Sequence, residues 1–134
     1  MIYITLGNNM KKIILICITT MLSQYALAEN WKLITKDQDG SFYLDTDRLV
    51  KKGKTVDYWA KFVADADNEE LEMKKGDYIL SHNLDHCVER TTDITLVEDY
   101  LKNGQLINST EQDPEPSSVD DDEINLAFFK AVCK

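Results

Sequence analysis

From Thr55 to Ala64 the side chains alternate in character: Val56, Tyr58, Ala60, Phe62 and Ala64 fall on one side, while Asp57, Trp59, Lys61 and Val63 fall on the other. A period of two predicts a strand with one wholly apolar face. Glycine turns at Asp39-Gly40, Lys52-Gly53, Lys75-Gly76 and Asn103-Gly104 separate further segments of strand character. These segments are 31–36, 42–45, 78–90, 92–101 and 105–109, and with 55–64 they predict six strands, each antiparallel to the next. A two-residue turn at Asn103-Gly104 would set Leu101 opposite Leu106 and Tyr100 opposite Ile107. Residues 65–75 are too charged for a buried strand and read as a loop or a short helical turn.

Near the end of the chain the period changes. Ile124, Ala127, Phe128 and Ala131 recur at i, i+3, i+4 and i+7 with Val132 beside them, which predicts an amphipathic helix over 118–132. Pro114 and Pro116 precede it, Ser117, Ser118 or Asp120 can cap it, and Asp120 with Glu123 has the spacing of a capping box. Acidic residues sit at its positive end, with Lys130 and Lys134 at its negative end. A sheet with one apolar face and a helix with one apolar stripe can bury those surfaces against each other, so the fold class is α+β.

Residues 1–28 read as an export signal. Met10-Lys11-Lys12 is basic, 13–18 is apolar, and Ala26 and Ala28 are small residues suited to cleavage. The apolar run is too short to span a bilayer, and Met10 is a more natural start than Met1. Cys17 follows Ile16 inside that run, without the small preceding residue that lipid attachment needs, and is discarded with the signal. The expected product is a single domain over 29–134, exported to the periplasm or cell surface without a lipoprotein anchor or a stable membrane span.

Removing the signal leaves 134 − 28 = 106 residues, and the loss of its two lysines takes the net charge from −9 to 13 − 24 = −11. That balance excludes a nucleic-acid partner, which needs a basic face against phosphate. A hydrophobic share of 43% excludes a disordered chain. A domain of this length sustains one modest core and benefits from a covalent staple. Its two remaining cysteines, Cys87 and Cys133, read as a disulfide in an oxidising compartment. The rival reading makes Cys87 a catalytic thiol served by His86, against which neighbours on a strand point to opposite faces.

Candidate binding residues are Arg48, Lys51, Lys52 and Lys54, a basic knot in an acidic protein, together with Trp59 and Lys61 on the polar side of the 55–64 strand. The knot is either an anion-seeking patch or a solvated turn. Trp59 is either an interface anchor or a residue packed beneath the 65–75 loop. His82 and His86 share a strand face but lack a placeable third metal ligand. The acidic runs 65–72 and 120–123 miss the calcium-loop pattern. No nucleophile, base and orienting acid assemble, and no glycine-rich phosphate loop is present. The expectation is a protein without metal, cofactor or enzymatic activity.

Phe42-Tyr43-Leu44-Asp45, Arg48 before the glycine turn, Val56 with Trp59, the 85–87 segment, Tyr100 with Gly104, Pro116-Ser117 and Val132-Cys133 together resemble the surface-adhesin protein E-like family of small exported bacterial proteins. The resemblance implies an antiparallel sheet whose C-terminal helix is tethered by a disulfide, here joining Cys87 to Cys133. It also implies dimerisation and binding to host extracellular-matrix or serum proteins. The alternative reading is a soluble periplasmic inhibitor or immunity protein whose negative charge attracts a basic hydrolase or toxin.

Overall fold

The structure, a computed structural model, describes residues 29–134. The expected signal segment and Cys17 lie outside the described residues. One antiparallel sheet carries eight strands: β1 Trp31–Lys36, β2 Gly40–Asp45, β3 Val50–Lys52, β4 Thr55–Ala64, β5 Tyr78–His86, β6 Thr91–Tyr100, β7 Leu106–Glu111 and β8 Ser117–Ser118. A 3-10 turn at Val119–Asp121 leads into one helix, α1, over Glu123–Val132. The main path across the sheet is β1-β2-β4-β5-β6-β7, with each strand hydrogen-bonded to the next.

The main path has the six strands that the pattern predicts, and the two additional strands are short. β2 pairs only with residues 60–64 of β4, so the other half of that edge is free to pair with β3 over 55–57. Likewise β7 takes residues 96–100 of β6, and β8 takes Thr91 and Thr92. Each short strand satisfies backbone groups on a ten-residue neighbour that a six-residue partner leaves unpaired.

Three boundaries differ from the sequence expectation. β5 stops at His86, and residues 87–90 form a turn in which the Arg90 N–H donates to the His86 carbonyl at 2.9 Å and Arg90 takes a φ of 57°. Cys87 therefore stands at the end of the sheet rather than inside a strand. The Asn103-Gly104 hairpin has a longer loop: Gly104 N–H donates to Leu101 O, and Leu101 N–H to Gln105 O, both at 2.9 Å. Gly104 at φ 91° supplies the left-handed residue that such a loop requires, and Tyr100 consequently pairs with Leu106 rather than Ile107. The helix begins at Glu123, capped by Asp122, whose Oδ1 accepts from Ile124 and Asn125 N–H at 2.8 and 2.9 Å. Asp120 is unavailable as the cap because it holds Arg90 at 2.6 Å.

The core lies between the apolar face of β4 and α1. Leu44, Val56, Tyr58 and Ala60 from the sheet pack with Phe128 and Val132 of the helix, all buried. The rings of Tyr58 and Phe128 stack at 5.8 Å. Phe129, beside the predicted stripe, is also buried, with the Arg90 guanidinium 4.9 Å from its ring centre. Cys133 caps the helix and is bonded to Cys87, closing a sequence separation of 46 residues. The bridge ties the last turn of α1 to the β5–β6 end of the sheet.

Candidate functional site

The sheet face turned away from α1 carries a continuous band of rings and cations. Alternation along β4 puts Asp57, Trp59 and Lys61 on this face. Register then aligns their neighbours, with Tyr43 and Leu80 flanking Lys61, His82 beside Trp59, and Tyr78 opposite Tyr100. Trp31 joins from β1, opposite Asp45.

Arg48 is placed by a buried carboxylate. Asp45 is fully buried, and its Oδ2 accepts from Arg48 Nε at 2.6 Å, while its Oδ1 accepts from the Asp47 and Asn30 N–H groups at 3.0 and 3.4 Å. Burial alone would raise the Asp45 pKa, but the Arg48 hydrogen bond and these backbone donors outweigh it and hold the carboxyl below its ordinary range. The anchored guanidinium lies over both tryptophans, 5.0 Å from the Trp59 ring and 5.7 Å from the Trp31 ring, and also pairs with Glu29 at 3.5 Å. A contact of this kind contributes about 0.5–1 kcal/mol where solvent reaches it.

Lys61 continues the band. Its ammonium stands 5.4 Å from the Trp31 ring and 4.5 Å from the Tyr78 ring. Tyr78 stacks on Tyr100 at 5.0 Å and 7°. Burial and then the Glu98 carboxylate raise the Tyr100 pKa. At the other end Trp59 meets the His82 ring at 5.1 Å, and His82 is fixed by Asp57 at 2.5 Å and Thr95 at 2.7 Å. Among the described residues, no carboxylate is paired with Lys61 within the 4.0 Å that defines an ion pair.

Of the candidates drawn from the sequence, Arg48, Trp59 and Lys61 come together here. Lys51, Lys52 and Lys54 do not, because they are exposed on β3 and its turn, while Arg48 is drawn away by Asp45. The basic knot is therefore split. What lies over Trp59 is Arg48, whereas the 65–75 loop is fastened at the far end of β4, with Asn68 Nδ2 donating to Asp39 at 3.1 Å and Gly76 N–H to Ala64 O at 2.9 Å. Trp31, Tyr78 and Tyr100 were missed. Their strands are legible, but their shared face depends on inter-strand register, which only alternation combined with the correct hairpin lengths would reveal. His82 and His86 do share a face, yet each is bound to its own aspartate, His86 to Asp93 at 2.9 Å. Among the described residues no group of three or more His, Cys, Asp or Glu is arranged to hold a metal.

Trp, Tyr and Arg are the residue types that dominate protein interfaces, and here they are half-buried on a pre-organised sheet. The class is thus a small disulfide-fastened α+β module with an open aromatic and cationic face. No curated protein and no solved structure matches the chain. The family model described as surface-adhesin protein E matches residues 31–134, and the chain belongs to that family. It is a surface-adhesin-like protein, in a family of exported or cell-surface proteins that act on protein partners. No helix among the described residues is long and apolar enough to cross a membrane.

Proposed function

We propose that this protein is exported by the 1–28 signal, loses it, and binds a host extracellular-matrix or serum protein through the helix-free face. It acts by recognition and not by catalysis, and without a lipid anchor it works in the periplasm or at the cell surface. The observation that supports this reading is the band from Tyr100 through Tyr78, Lys61, Trp31, Arg48 and Trp59 to His82. Rings held rigidly by cations lose little side-chain entropy on binding, and a partner carboxylate can complete the shell of Lys61.

Solid-phase binding of residues 29–134 to a panel of matrix and serum glycoproteins tests it. Trp59→Ala and Lys61→Glu should each weaken the interaction at least tenfold, about 1.4 kcal/mol or more. Lys51, Lys52 and Lys54 changed together to Ser should leave it within about twofold. The reverse pattern, or no binding to any panel member, refutes the proposal.

A further inference from the structure

The opposite face, on the helix side, is only partly covered. α1 has ten residues and is about 15 Å long, whereas ten-residue β4 spans about 33 Å. The helix is fastened at the disulfide end and packs on Val56, Tyr58 and Ala60, which leaves the Phe62 end of β4 without a helical cover. Phe42 and Phe62 meet there with ring centres 4.9 Å apart. Ile94 nearby is 36% exposed, and Leu71, from the 65–75 loop, is 45% exposed.

Three hollows join along this surface. The first is almost wholly apolar, walled by Phe42, Phe62, Ile79 and Leu71, with Asp37 and Asp39 at its rim. The second shares Phe42, Phe62 and Ile79 and runs on to Ile94, Ile124 and Asn125 beside the helix. The third continues from Ile94 and Asn125 to Asp113 and Glu115. The result is one trough, acidic at both ends, with Phe42, Phe62, Ile79 and Ile94 along the floor between them and the polar Ser81 and Asn83 beside these. Lys61 borders it but carries its ammonium on the opposite face, over Trp31 and Tyr78.

We propose that this trough binds a cationic amphipathic peptide segment of a partner protein. The apolar side chains of the segment would seat on Phe42, Phe62, Ile79 and Ile94. Lysines or arginines on either side would meet Asp37 and Asp39 at one end and Asp113 and Glu115 at the other. Charge complementarity selects this occupant. The carboxylates at both ends repel fatty acids and acidic peptides, a neutral apolar segment gains no charge pairing from them, and the mature net charge of 13 − 24 = −11 steers cations towards the protein. The trough and the aromatic band occupy different faces, so this binding does not depend on the adhesive reading.

The test titrates the 29–134 protein with a fluorescent synthetic peptide that has lysines at both ends of a leucine-rich middle. Two comparison peptides replace the end lysines with glutamate or the leucines with further lysine. The lysine–leucine peptide should bind at least tenfold more tightly than either, and more weakly as salt rises. Leu71→Ser with Ile94→Asn, at exposed positions, should reduce its affinity about tenfold, and Asp113→Asn with Glu115→Gln about threefold. Because 113–115 lies on an exposed segment, the second pair remains decisive even if the first perturbs folding. Trp59→Ala should leave peptide binding unchanged. Equal binding of the glutamate-ended or all-lysine peptide, or wild-type affinity in the Asp113 and Glu115 variant, overturns the assignment.

Discussion

Replacing Cys87 and Cys133 together by alanine removes the covalent link between α1 and the sheet while leaving the apolar contacts of the helix in place. The bridge closes 46 residues, and restricting an unfolded loop of that length contributes about 4 kcal/mol in the chain-entropy description. What remains to hold the helix is its buried stripe. Phe128 is 4% exposed and Val132 is 1% exposed, and burial of each contributes roughly 1.5–3 kcal/mol. A ten-residue helix is below the length that stands alone in water, so its order depends on those contacts once the link is cut. For a domain of this size a loss of 4 kcal/mol lowers the melting temperature by roughly 15–20 °C. Circular dichroism melts of parent and double variant measure the shift, and amide exchange of α1 against β4 shows where protection goes first. The variant should melt 15–20 °C lower, roughly as the loop term requires, with α1 amides losing protection before those of β4. A shift under about 5 °C with α1 equally protected would refute the reasoning, because packing alone would then hold the helix.

Gly40→Ala should be severely destabilising, by about 3 kcal/mol or more in denaturant titration, because a Cβ there would lie 2.1 Å from the Val63 carbonyl oxygen and 2.6 Å from the Phe62 ring. Asp122→Ala removes the acceptor for two helix N–H groups and should cost about 1 kcal/mol, read from the same titrations. Asp85 is fully buried, accepts a hydrogen bond from Tyr58 Oη at 3.1 Å, and has its pKa raised by that burial. A raised folded-state value means that its contribution to stability is fully present below the ordinary carboxylate pKa and is lost as pH rises through the folded value. Asp85→Asn should therefore be more stable than the parent at neutral pH, with the difference closing in acid, and a less stable variant at neutral pH would contradict that sign.

The bounds of β1 and β4 were legible because alternation is a property of the strand itself, independent of its partners. β3 and β8 were not, since strands of three and two residues are defined by the free edge of a longer neighbour rather than by any pattern of their own. The start of α1 was misplaced for a related reason. Asp120 has a suitable local spacing, but its carboxylate is taken by Arg90, 30 residues away in sequence. In the site, Trp59 and Lys61 could be read from β4 alone. Grouping Arg48 with the nearby lysines followed sequence proximity, whereas the buried carboxylate of Asp45 draws it across Trp31 and Trp59. Trp31, Tyr78 and Tyr100 reach the same band through pairings between strands that no single segment encodes.

The chain has two tryptophans, and both belong to the aromatic band, so their indole N–H resonances report on that face alone. Titrating nitrogen-labelled 29–134 protein with a matrix or serum protein that it retains should shift or broaden both indole signals along one saturating curve. Amides of residues 51–54 should stay in place. Saturation of binding with both indole signals unmoved would contradict the account.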